Sequence, residues 1–207
     1  MKSPSGQTSL EIRDARLFTG RAVMIVCAFG LLLVIPVVGA MLVVSSLQLG
    51  FWTALIPLLT ICAATLFLPF GFGNTYVTRL VGNLKAARTN DANSFIVQIT
   101  FIPRIRSGLR AILEDADDIG VIILSGSELV FEGDSVHFSI PYSQLAGVRL
   151  ETIGLRGLFV YPCVAASVSG LTGLTSFKIA DRAGCFLPAS RKRTRNLYRR
   201  LLAGLKI

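Results

Sequence analysis

Three regimes of hydrophobic patterning follow one another along the chain. Residues 1–21 are polar, with a weak helical spacing at Leu10, Leu17 and Phe18. The second regime is apolar throughout, since no Asp, Glu, Lys or Arg occurs between Arg21 and Arg79. Within it, 22–44 and 51–70 are each long enough to cross a bilayer as a helix, which takes roughly 20 apolar residues at a rise of ~1.5 Å. Ser45–Gly50 reads as the turn between them. Pro36 predicts a kink in the first span, and Trp52 an interfacial aromatic at the start of the second. Pro69 and the Gly71-Phe72-Gly73 run break the helix that precedes them. Residues 22–73 therefore predict a transmembrane helical hairpin.

The third regime begins with a juxtamembrane helix and linker over 74–93. Tyr76, Val77, Leu80, Val81 and Leu84 share one helical face, while Arg79, Lys85 and Arg88 lie largely off it. Such a helix rests on a bilayer surface or packs on its own domain, and the pattern fits both. From Ser94 the period changes to two. Phe95, Val97, Ile99 and Phe101 alternate with smaller or polar residues, as in a half-buried strand that Pro103 ends. Residues 104–118 read as a short helix or ordered loop closed by Glu114, Asp115, Asp117 and Asp118. Further strands are expected at 119–124, 128–132, 135–140, 147–151, 158–167 and 175–181, with a last short one at 185–187. These six or seven further strands at close spacing predict an all-β barrel or sandwich. Ser190 is placed to cap a final helix with Leu197, Tyr198, Leu201, Leu202 and Leu205 on one face.

Composition sharpens this picture. Of the 207 residues 52% are hydrophobic and only 16% charged, against about a quarter charged in ordinary globular domains. The net charge of +9 is unevenly placed: residues 89–189 are slightly acidic, whereas 190–207 hold seven cations and no acid. The hairpin turn has no cation, and both outer flanks have several: Lys2, Arg13, Arg16 and Arg21 before, Arg79, Lys85 and Arg88 after. The positive-inside rule then puts both termini in the cytoplasm of a multi-pass inner-membrane protein. An uncleaved hairpin is preferred to a signal peptide, because the apolar stretch is too long and a second span follows. Cys27, Cys62, Cys163 and Cys185 lack the short spacing of a zinc or redox pair and read as buried free thiols.

The run Ile119-Gly120-Val121-Ile122-Ile123-Leu124, then Glu128-Leu129-Val130-Phe131-Glu132, then Ile140-Pro141-Tyr142-Ser143-Gln144-Leu145-Ala146-Gly147-Val148 resembles bacterial pleckstrin-homology-like and GRAM-like domains. In those families a G-x-L-type strand leads into an L-x-F hairpin, and an I-P-x-x-x-I-x-x-V corner enters the next strand. Leu145 here takes the place of the usual Ile. The resemblance covers roughly residues 94–205, with 104–118 outside the minimal pattern. It implies a β-barrel plugged by a C-terminal amphipathic helix. Several bacterial relatives of this kind carry two spans before the domain.

No candidate for catalysis emerges. His137, the single histidine, falls between Ser135 and Ser139 on a polar strand face, and no partner or nucleophile accompanies it. Gly133-Asp134-Ser135 fits a hairpin turn better than a nucleophilic serine. The acids at 114–118 lack the ligand spacing of a calcium loop and read as a solvated turn. The strongest charge signal is Arg191, Lys192, Arg195 and Arg199, at helical spacing opposite Leu197, Leu201 and Leu205. These four are candidate contacts for anionic lipid. Arg104, Arg106 and Arg110 form a second basic set, in a region that in pleckstrin-homology-like domains often meets phosphorylated ligands.

The expectation is thus an α+β membrane protein, a two-helix transmembrane hairpin followed over 94–207 by a cytoplasmic pleckstrin-homology-like domain. Its function is read as non-enzymatic, a membrane-tethered domain that contacts lipid or a membrane or cytoplasmic protein partner. The alternative is an accessory or regulatory subunit of a membrane transport or channel complex. No cofactor or metal is expected, and nucleic acid is a poor fit without aromatic interleaving.

Overall fold

The computed structural model describes residues 9–15, 74–84, 93–106, 116–153, 161–169, 174–184 and 187–205, with scattered positions between 17 and 59. Eight strands form one antiparallel sheet: β1 (Ser9–Ile12), β2 (Ser94–Ile102), β3 (Asp118–Leu124), β4 (Glu128–Gly133), β5 (Val136–Pro141), β6 (Leu145–Ile153), β7 (Tyr161–Val168) and β8 (Ser176–Asp181). Helix α1 (Asn74–Val81) precedes β2, and α2 (Leu187–Gly204) follows β8. The strand order is β1-β5-β4-β3-β2-β8-β7-β6.

Two expectations about the architecture do not hold. Among the described residues no helix is long and apolar enough to cross a membrane. The two-helix transmembrane hairpin is therefore not found, and the multi-pass inner-membrane location that rested on it is not retained. Most of 22–44 and 51–70 lies outside the described residues. The physical reason is that an uncharged run meets the hydropathy requirement of a span without being bound to its geometry; of its described residues, Met24, Ile25, Val38, Leu42, Val43 and Leu59 are exposed. Ala22, at the head of the expected first span, is buried in a cluster with Val77 and Val81 of α1, Ala116, and Ile119 and Val121 of β3. The second correction concerns closure. Alternation of period two predicts a buried face but not a closed barrel, and the sheet is open: among the described residues its end strands β1 and β6 are not paired with each other.

The main core lies on one face of the sheet. Phe95, Val97, Ile99 and Phe101 of β2 all enter it, as the alternation requires. Phe131 of β4 and Phe138 of β5 stand opposite each other in register, with ring centroids 5.3 Å apart. Phe101 and Phe177 meet Phe138 at 5.9 and 5.4 Å. Such aromatic pairs contribute ~0.5–1.5 kcal/mol beyond the area they bury. Helix α2 packs on β6, β7 and β8, and its Leu197 and Leu201 are fully buried in this core. It thus covers the apolar face that a closed barrel would enclose.

Helix α1 packs on the opposite face of β3. Of the two readings its apolar stripe allowed, the packed one holds. Asn74 is buried and donates from Nδ2 to the Gly184 carbonyl at 2.5 Å, while Arg182 donates to Asn74 Oδ1 and Gln98 Oε1. This polar seam leaves the centre of β2 buried on both faces, not on one. The N-terminal segment also differs from its weakly helical reading, since β1 pairs with β5. Leu187 opens α2 and does not end a short strand, and Ser190 lies inside the helix, fully buried, where it does not serve as its cap.

Candidate functional site

Two buried carboxylates organise the cations of this fold. Asp118, at the start of β3, has no solvent exposure. Its Oδ2 accepts backbone N–H bonds from Ser135 at 2.8 Å and Val136 at 2.7 Å. Gly133 permits this approach, because a Cβ there would lie 2.3 Å from Asp118 Oδ2. Arg106 Nη2 stands 3.5 Å from Asp118 Oδ1 and donates to Ser135 Oγ at 2.6 Å. Burial pushes the Asp118 carboxyl up to about 6, against the pull of its N–H donors and of Arg106. The neighbouring Asp117 is buried too, accepting from the Phe101 N–H at 2.7 Å and the Arg106 N–H at 3.1 Å. Asp117 and Asp118 are therefore not part of a solvated acidic turn. They are interior acceptors that tie the segment after β2 to the β4–β5 turn. Glu114 and Asp115 lie outside the described residues.

Asp181 repeats the device at the end of β8. It is buried, accepts from the Gly184 N–H at 3.1 Å, and pairs with Arg193 Nε at 2.9 Å. Burial raises its pKa, and the Arg193 bond opposes that rise. Ser190 Oγ donates to the Asp181 carbonyl at 3.4 Å. The first turn of α2 is thus fastened to the sheet. Arg200, further along, donates to Asn93 Oδ1 and lies over the Phe95 ring at 5.7 Å.

The remaining cations of α2 have no such role. Arg191, Lys192, Arg195 and Arg199 are exposed, and among the described residues none of their side chains forms an ion pair or hydrogen bond. With Pro188 they line an open depression of about 370 Å³. No acid occurs anywhere in α2. Leu197 and Leu201 fix the rotation of the helix, and their burial turns residues 191, 195 and 199 outward together. At ~1.5 Å per residue the three guanidinium stems repeat every ~6 Å. A planar guanidinium binds phosphate bidentately, and Lys192 adds a point charge beside the row.

The structure brings together these four of the residues expected from the sequence and leaves out the other three. Arg106 is committed to Asp118 and Ser135. Arg104 is half-buried beyond β2 and does not line the depression. Arg110 lies outside the described residues. His137 stands opposite Glu11 of β1 and Glu132 of β4, and among the described residues no group of His, Cys, Asp and Glu could hold a metal ion. Ser135 is buried with Arg106 on its hydroxyl, and Asp134 accepts the Leu17 N–H at 2.8 Å, so the Gly133-Asp134-Ser135 turn is structural. Cys163 is a buried thiol outside any disulfide; the other cysteines lie outside the described residues. Sequence reasoning missed both buried aspartate–arginine pairs. No local signal marks them, because each partner comes from a different part of the chain.

No protein-family model matches the chain, and no curated protein matches it.

Proposed function

We propose that this chain is a non-enzymatic interaction protein that docks on a phosphate-bearing anionic surface through the outer face of α2, acidic lipid head groups being the surface it fits best. The observation that carries this reading is the division of labour among the α2 cations. Arg193 and Arg200 have partners within the domain, whereas Arg191, Lys192, Arg195 and Arg199 share one depression with no acid among them. Four like charges on one surface repel one another, and an anionic ligand offsets that cost. Each basic residue held near an acidic lipid surface contributes ~1 kcal/mol. The relation to pleckstrin-homology-like domains belongs to this proposal. It is supported by the run of antiparallel strands from β2 to β8 followed by a helix against the last three of them.

Co-sedimentation of the full chain with vesicles tests the proposal. Binding is expected to vesicles containing phosphatidylserine and not to pure phosphatidylcholine. It should weaken as salt shortens the Debye length from ~10 Å at 0.1 M to ~3 Å at 1 M. Replacing Arg191, Lys192, Arg195 and Arg199 together by Gln should abolish it. Unchanged binding by that variant, equal binding to neutral vesicles, or tighter binding to single-stranded RNA at the same salt would overturn the reading.

A further inference from the structure

We propose that the outer edge of β6 is a self-complementary contact through which two copies of the chain pair, antiparallel and about a two-fold axis at Leu150, into one continuous sheet. β6 is the last strand of the sheet, nine residues long, with β7 on one side and, among the described residues, no strand on the other. Long bare edges are normally blunted by proline, by an inward charge or by shortness. The opposite edge shows the last of these, since β1 has four residues. β6 is long and contains no proline, its bulge is confined to Leu145 and Gly147, and its edge charges, Arg149 and Glu151, are of opposite sign.

The direction of its backbone groups follows from strand geometry. Val168 of β7 donates its N–H to Thr175 on the β8 side. Groups alternate along a strand, so Val164 and Ala166 also face β8, while Cys163, Ala165 and Ser167 face β6. Their register partners Glu151, Arg149 and Gly147 therefore bond to β7. Val148, Leu150 and Thr152 turn their N–H and C=O groups to the bare edge. An axis at Leu150 sets Leu150 against Leu150 and Val148 against Thr152 as hydrogen-bonded pairs, six backbone bonds across the contact.

The side chains select this register. With the axis at Leu150, Arg149 of each copy stands opposite Glu151 of the other, at the closer, non-hydrogen-bonded spacing where cross-strand charge pairs act. Moving the axis to residue 149 or 151 would set like charges against each other. Moving it to 148 or 152 would leave both charges without an opposite. Within the chain Glu151 already meets Arg149 at 2.5 Å and Lys178 at 2.8 Å. The Arg149 side chain nevertheless stays 78% exposed, within reach of a second copy. On the other face Leu150, 42% exposed, is an uncovered apolar residue beside buried Val164, and its counterpart in the second copy would cover it. A second copy is therefore the occupant that fits, because the Arg-Leu-Glu centre complements itself.

Sedimentation velocity of the purified full chain over the micromolar range tests this. The wild type should show a concentration-dependent monomer–dimer equilibrium. Arg149→Glu and Glu151→Arg should each be monomeric. Mixed in equal amounts, they should form a heterodimer, because both charge pairs are then restored. Circular dichroism melting establishes that each variant is folded. Leu150→Pro supplies an independent variant, since it removes an N–H used only across the axis and none used within the chain. A wild type that stays monomeric, single variants that dimerise as the wild type does, or a mixture that fails to pair would overturn the proposal.

Discussion

The cations of α2 have the same kind of side chain and opposite uses. Arg193 and Arg195 are two residues apart, yet Arg193 bonds to a buried carboxylate and Arg195 lines an open depression among other cations. The difference lies in what the sheet places beneath each position. Asp181 at the end of β8 draws Arg193 down, with Leu197 and Leu201 packing beside it in the core. Nothing acidic faces Arg191, Lys192, Arg195 or Arg199 among the described residues. The inner face therefore governs whether the helix is held, and the outer face what it can meet. The comparison teaches that a basic run on a helix is not one functional unit. Its members separate by the carboxylates that the fold brings within reach.

The largest expected effect falls on the inner face. Leu201 is fully buried against the sheet core, so Leu201→Ala should lower unfolding stability by ~2–5 kcal/mol through lost transfer energy and the cavity left behind. Urea titration of the purified chain measures it. A change under about 0.5 kcal/mol would mean that α2 is not held by this packing, and the distinction between its faces would collapse.

The buried carboxylates should make stability depend on pH. Asp118 binds its proton more tightly in the folded chain, at about 6, than at its ordinary value of 3.8. The folded state then holds more protons than the unfolded state between these values, so stability falls as pH rises through that window and levels off above it. Each tenfold difference in proton affinity between the two states corresponds to ~1.4 kcal/mol, so the loss between about pH 4.5 and about pH 7.5 comes to about 2 kcal/mol. Asp181, also raised by burial, acts in the same direction. Glu151, lowered chiefly by its bond to Lys178, works oppositely, but only below this range. Asp118→Asn should flatten the profile, as urea midpoints taken across the range would reveal.

How much of this was legible in the sequence differs by region. The alternation of Phe95, Val97, Ile99 and Phe101, and of Val136, Phe138 and Ile140, does place those side chains in the core, because a strand's two-residue period is a local property. The stripe of Leu197 and Leu201 is equally local, and it carries the outward direction of Arg191, Arg195 and Arg199 with it. Sheet closure is not local. It depends on whether distant edges meet, and alternation is silent on that. β1 escapes a reading of this kind because four residues hold too little periodicity to register. The expected hairpin is not found among the described residues, because hydropathy reports the tendency of side chains to leave water and not the geometry they adopt. Asp117 and Asp118 look solvated in sequence for a related reason: their donors come from β2, from Arg106 and from the β4–β5 turn.

The smallest effects separate the two faces most sharply. Arg193→Gln leaves the buried Asp181 without its cation, and an interior acceptor deprived of a charged donor costs about 1–3 kcal/mol. Because the Arg193 side chain is 44% exposed, water can compensate in part, and a loss near about 1 kcal/mol is expected. Arg195→Gln removes no side-chain bond among the described residues, so stability should stay within about 0.5 kcal/mol of the wild type, as for surface positions generally. Affinity for acidic vesicles should move the other way. Arg195→Gln should lose ~1 kcal/mol, roughly a five-fold change. Arg193→Gln should lose less, since Arg193 does not line the depression and acts on the surface only through the net charge. Measured side by side, the two substitutions form a crossed pair, one acting mainly on unfolding and the other mainly on binding. If both lowered affinity equally, the vesicle surface would be sensing the net charge of α2 and not the row of unpartnered cations.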